Sequence, residues 1–174
     1  MQRSDEAPSD RIQAKSGGFS LIENLIACTV IAIGLVATYT LNTQTMATLR
    51  LANEESCASQ VLQQRVEQLR IANWQRISSP TWVRDNILNV SADGSAALSS
   101  LSETVTVIPY NSATPLVNTF TRTGATTTAA GSNTSLVDEN ALTVKWSINW
   151  KGVPAGKLHT RETLAVLGKG GIAK

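Results

Sequence analysis

"SGGFSLIENLIACTVIAIGLVATYT" spans Ser16 to Thr40, and its reading decides the architecture. Phe19 to Leu41 is 23 residues of mainly apolar character. As a helix it would be about 34 Å long, enough for a bilayer core of about 30 Å. Its polar members are the small Ser20, Asn24, Thr29, Gly34, Thr38 and Thr40, and its single ionisable acid is Glu23. A carboxylate at mid-bilayer costs roughly 3 kcal/mol on insertion scales and less near the interface. An acid retained inside such a span points to a partner for it.

The residues before the span are polar. Met1 to Gly18 carries Arg3, Asp5, Glu6, Asp10, Arg11 and Lys15 and has no apolar run. A secretory signal places its apolar core before the cut site; here that core follows Gly17-Gly18. Arg11 and Lys15 precede the span closely, whereas Arg50 is followed by Glu54 and Glu55. The positive-inside rule therefore puts the N-terminus in the cytoplasm and Gln44 onward outside. Leu25-Ile26-Ala27-Cys28 resembles a lipobox. Glu23 and Asn24 interrupt the run before Cys28, however, and the apolar sequence continues to Leu41. The sequence therefore favours a buried structural cysteine.

Gly18, Phe19, Ser20, Leu21, Ile22 and Glu23, followed by a span, resemble the N-terminus of type IV prepilins and of type II secretion pseudopilins. The resemblance is strong from Lys15 to about Leu41. It implies cleavage between Gly18 and Phe19 by a prepilin peptidase, N-methylation of Phe19 and assembly into a filament. It further implies that Glu23 neutralises the new Phe19 amine, its own or a neighbour's. The physics is compatible. Opposite charges attract far more strongly in a low-dielectric bundle, desolvation takes back much of the gain, and such pairs are best attested as setters of register. A glycine at Gly18 lets a peptidase approach the backbone closely.

Asn42 to Ile77 contains neither proline nor glycine. Leu62, Val66 and Leu69, with Ala58, Val61 and Ala72 beside them, form one apolar stripe. Glu54, Glu55, Gln63, Gln64, Arg65, Glu67, Gln68 and Arg70 are expected on its wet sides. Ser78-Ser79-Pro80 should end the helix, giving a nearly continuous helix from Phe19 to about Ile77. Thr40 stands where many pilins have a proline, so no proline kink is expected there. Ala58 to Arg70, "ASQVLQQRVEQLR", and Ile33-Gly34-Leu35 also resemble minor pilins of the V kind and the I-type minor pseudopilin.

The C-terminal part reads as β-structure. Expected strands are Glu103 to Tyr110, Leu116 to Arg122, Ala141 to Trp150 and Thr160 to Leu167. Leu142, Val144, Trp146, Ile148 and Trp150 share one face by period-two alternation and should pack on the helix stripe. Gly124 to Ser135 reads as a small-polar loop, and Val83 to Ser100 gives mixed signals. The expected fold class is α+β, a long N-terminal helix packed by its second half on a small antiparallel sheet. The expected organisation is a leader over 1–18, a transmembrane and assembly helix over 19–41, an amphipathic helix over 42–79 and an extracytoplasmic β-rich domain over 80–174.

Composition narrows the function. The net charge of +2 gives no global field for a nucleic acid. Lys145, Lys151, Lys157, Arg161, Lys169 and Lys174 lie against Glu162 alone, but with wide spacing and few aromatics a solvated face is the better reading. One histidine, His159, and two cysteines leave no catalytic constellation, so an enzyme is not expected. Asp93, Asp138 and Glu139 read as solvated acids, since a calcium site needs six or more oxygens. No metal or cofactor is expected. Cys28 and Cys57 are 29 residues apart, roughly 43 Å on one helix, and cannot bond within the chain. The resemblance implies a structural subunit, a minor pilin or pseudopilin. Its partners would be the prepilin peptidase, other pilin or pseudopilin subunits, the inner-membrane assembly platform and, before assembly, membrane lipid. The alternative is a single-span anchored binding domain that does not assemble.

Overall fold

The computed structural model describes residues 20–79, 81–110, 117–152 and 156–170. Gly18, Phe19, Pro80, Leu116 and Lys174 lie outside them. The chain divides into two compact units, Met1–Thr43 and Gln44–Lys174.

A single helix, α1, runs Leu21–Ile71. Ser20 opens it, its carbonyl accepting from the amides of Glu23 at 3.0 Å and Asn24 at 3.1 Å. The helix passes through Thr40 without interruption, as the lack of proline and of paired glycines there predicts. It stops at Ile71, short of the expected Ile77. Asn73 is the cause. Its backbone is extended and its side chain accepts from the Arg76 amide at 3.0 Å, so it caps a new four-residue helix, α2, Trp74–Ile77.

Five strands follow: β1 Ser102–Pro109, β2 Asn118–Thr123, β3 Thr126–Gly131, β4 Ala141–Lys151 and β5 Leu158–Gly168. They form one antiparallel sheet in the order β3-β2-β1-β4-β5. The architecture is α+β, as expected. The four expected strands appear within two residues of their predicted bounds. β3 replaces the expected loop. It is an edge strand with no fully buried residue, so it carries no burial alternation to read. Backbone pairing to β2 holds it, through a two-residue turn in which Gly124 has φ +62°, a conformation glycine adopts freely.

The inner face of the sheet carries Val105 and Val107 from β1, Phe120 from β2 and the expected β4 row from Leu142 to Trp150, all buried. Against it pack Ala58, Val61, Leu62 and Leu69 of α1. Burying each of these valine and leucine side chains stabilises by about 1.5–3 kcal/mol. Val83, Ile87, Leu88, Ala92 and Leu98 complete the core. They come from the stretch with mixed signals, which forms a π-helical turn at Arg84–Leu88 and a 3-10 turn at Ser95–Ala97. Neither turn has the 3.6 period that sequence patterns reveal. The outer face is hydroxyl-rich, with Ser102–Thr123, Thr104–Thr121 and Thr106–Thr119 side-chain pairs at 3.2, 3.0 and 3.3 Å.

Candidate functional site

The N-terminal unit presents an apolar surface on all sides of α1. Leu21, Ile22, Leu25, Ile26, Val30, Ile31, Ile33, Leu35, Val36 and Leu41 are all exposed. The stretch is long and apolar enough to cross a membrane, and none of it is buried within the chain. Its hydroxyls are satisfied locally: Thr29 donates to the Leu25 carbonyl at 2.7 Å, Thr38 to Gly34 at 2.9 Å and Thr40 to Ala37 at 2.8 Å. That removes the polar penalty such groups would carry in lipid. Gly34 would admit a Cβ with no atom of the chain within 4 Å. Glu23 lies in the first turn of α1 and is exposed. Gly18 and Phe19 lie outside the described residues.

The second unit is organised around buried charge, which corrects the placement of Arg65 and Glu54 on the wet side of the helix. Arg65 is 0% exposed. Its Nε donates to Glu103 Oε2 at 2.9 Å and its Nη2 to Glu103 Oε1 at 3.1 Å. Nη1 donates to the Ile87 carbonyl and Nη2 to the Val90 carbonyl, both at 2.8 Å. Arg122 Nη2 donates to the same Glu103 Oε1 at 2.5 Å. The Arg65 guanidinium also lies 5.4 Å from the Trp146 ring, an attractive placement. The Trp146 indole N–H is buried without a partner among the described residues. This network joins α1, the π-helical turn, β1, β2 and β4.

A second set of contacts ties α1 to β4 and β5. Glu54, also buried, accepts from Trp150 Nε1 at 3.3 Å. Trp150 stacks on His159 at 5.4 Å. Arg161 pairs with Glu55 at 2.7 Å and donates to Ser59 Oγ at 2.5 Å. Gly152 is required here, because a Cβ on it would lie 2.7 Å from His159 Nε2 and 3.2 Å from Glu54 Oε2. At the surface, the hydrogen bond from Arg84 to Asp85 holds the Asp85 carboxyl below its ordinary range and raises Arg84.

The remaining sequence candidates are dispersed. Lys145 pairs with Glu162 at 2.8 Å. The strand register pairs Arg161 with Ile148 of the inner face, whereas Lys145 lies on the outer one, so the basic residues share no single stripe. Among the described residues no group of three or more His, Cys, Asp or Glu side chains is arranged to hold a metal; Asp93, Asp138 and Glu139 form none. Cys28 and Cys57 are free, and Cys28 is exposed rather than buried, because nothing of the chain covers that part of α1.

An N-terminal apolar helix long enough to cross a membrane, ahead of a helix-packed antiparallel sheet, fits a membrane-anchored, pilin-like class of protein. Residues 13–39 match the prokaryotic N-terminal methylation motif. The match supports the prepilin and pseudopilin resemblance over those residues. The family is a structural one. The motif implies processing by prepilin peptidase and assembly with other pilin subunits, and with the apolar helix it fits an inner-membrane-anchored pilin. No curated protein and no solved structure matches the chain.

Proposed function

We propose that the chain is a minor pilin or pseudopilin. Prepilin peptidase cuts it between Gly18 and Phe19, Phe19 is N-methylated, and the subunit enters a type IV pilus or type II secretion filament through α1. The observation that carries this reading is the wholly uncovered apolar surface of α1 with Glu23 as its one acid over Leu21–Leu41. Such a surface is stable in lipid or against like helices, and a charge in it calls for a partner. The Phe19 amine created by cleavage is that partner. The N-terminus begins on the cytoplasmic side and the β-rich unit is extracytoplasmic, following the basic residues Arg11 and Lys15.

The test is Glu23→Ala in cells lacking the wild-type copy. Glu23 sits in the first turn of α1 and belongs to the Met1–Thr43 unit, apart from the core of the β-rich one, so cleavage and membrane accumulation should persist. An unpaired ammonium in the filament core costs several kcal/mol after relaxation. At roughly 1.4 kcal/mol per tenfold, incorporation should fall by about a hundredfold or more. The readout is the ratio of mutant to wild type in sheared filaments at equal membrane levels. Equal incorporation sinks the pairing role of Glu23.

A further inference from the structure

The buried network holds two guanidinium groups and one carboxylate, a surplus of one positive charge. Arg65 is satisfied, with Glu103 and two carbonyls around it. Arg122 is not. It is 8% exposed, and among the described residues its guanidinium donates only through Nη2, to Glu103. Its side chain lines a cavity of about 600 Å³. Trp146 Nε1 is the one fully shielded, unpartnered side-chain polar atom among the described residues. The Nε and Nη1 of Arg122 are therefore not fully shielded, and Arg122 lines that cavity. Ser91, Ser95 and Ser100 contribute hydroxyls to its wall, Leu98 and Leu101 contribute apolar surface, and no acidic residue lines it. Ser100 has φ +53°, a conformation that is costly away from glycine and clusters at ligand-binding positions.

We propose that this cavity binds a small molecule through a carboxylate seated on Arg122. A carboxylate can sit on one edge of the planar guanidinium, taking the Nη2 N–H not used by Glu103 together with that of Nε or Nη1 as two parallel hydrogen bonds. A monoanion cancels the surplus charge of the network, which a dianion would exceed. The volume falls within the usual 300–1,000 Å³ of small-ligand sites, and the mixed wall suits a carboxylate on a short hydroxylated or aliphatic body. The site lies entirely within the Gln44–Lys174 unit, so it does not depend on the filament reading.

The test uses the full chain, ¹⁵N-labelled in detergent micelles, with lactate as probe, lactamide as its neutral isostere and phosphate as a second anion. The Arg122 Nε–Hε resonance should shift saturably with lactate, at a concentration at least tenfold lower than with lactamide or phosphate. Ser95→Glu places a tethered carboxylate in the cavity without touching Arg65, Glu103 or Arg122. Ala96→Trp fills the same space from an exposed wall residue and stands independently should the first variant misfold. Each folded variant should lose the lactate response. Absence of a saturable shift, an equal response to lactamide, a stronger one to phosphate, or retention of the lactate response in either folded variant overturns the proposal.

Discussion

Replacing Glu103 by alanine should destabilise the β-rich unit more than any surface change. Glu103 accepts three hydrogen bonds, two from Arg65 and one from Arg122, with its own side chain and that of Arg65 fully shielded. Deleting one member of a buried ionic group costs about 3–5 kcal/mol, because the remaining charge stays in a poor solvent. Arg65 would keep the Ile87 and Val90 carbonyls, and Arg122 reaches the cavity, so the lower half of that range applies, about 3–4 kcal/mol. For a unit of this size about 4 °C accompanies each kcal/mol, which predicts a Tm lower by about 12–16 °C. Near-UV circular dichroism of the full chain in detergent is the suitable assay, since it follows the packed tryptophans and not the apolar helix, which micelles keep folded. Glu162→Ala is the control. It breaks a Lys145 pair whose members are 47% and 48% exposed, worth under about 1 kcal/mol. If Glu103→Ala lowers Tm no further than Glu162→Ala does, the reasoning about the buried network is wrong. The triple variant Arg65→Met, Glu103→Leu, Arg122→Met should recover most of the loss, because apolar replacement of a whole buried ionic group is often neutral or stabilising.

Intact-mass measurement of the membrane-extracted protein should show loss of Met1 to Gly18, with one added methyl; a mature chain starting at lipid-modified Cys28 would instead establish the lipoprotein reading. Gly131→Ala should destabilise by about 1–3 kcal/mol, seen as a lower Tm, because Gly131 has φ +96° and a Cβ there would collide with the Val117 carbonyl oxygen; an unchanged Tm would contradict that close approach. Asp85 should titrate below its ordinary pKa of 3.8 by NMR. With the folded value lowered, its stabilisation is present above the unfolded pKa and fades as pH falls through the folded one, and its exposure keeps the effect small; a raised value, or no loss of the shift in Arg84→Gln, would contradict the pairing.

The helix and four of the five strands were legible because they follow fixed periods. Leu142 to Trp150 alternate, and Ala58, Val61, Leu62 and Leu69 recur at helical spacing. The buried network was hidden by a competing rule. Arg65 lies four residues from both Val61 and Leu69, in the middle of the buried row, yet its charge assigned it to solvent. Glu103 is in phase with Val105 and Val107, and Arg122 with Phe120 and Asn118. Three charged residues of opposite sign, each in the buried phase of its element, were the available signal. Charge alone is a sound guide to exposure only for groups without a partner, and partners separated by 38 and 19 residues are invisible to local patterning. Asn73 was a cap signal in the sequence, obscured by the absence of proline and glycine around it. β3 gave no signal because it buries nothing.

Glu23 and Glu103 show why one rule covers both ends of the chain. Glu103 is a carboxylate in a poorly solvating core, Glu23 would enter such a setting in the proposed filament, and there each is tolerable only with a cation beside it. Glu103 finds its cations within the fold, so its loss should appear as instability of the subunit before any assembly. Glu23 has no side-chain partner among the described residues, and the amine proposed for it arises only once the leader is cut. Its loss should leave the melting of the β-rich unit unchanged and appear only when helices leave lipid for the filament. Measuring the near-UV Tm and the filament-to-membrane ratio for both alanine variants separates these roles. Glu103→Ala should lower the Tm and deplete subunit and filament together, whereas Glu23→Ala should lower the ratio alone. A Tm loss in Glu23→Ala, or a filament defect in Glu103→Ala at normal subunit level and Tm, would break the assignment.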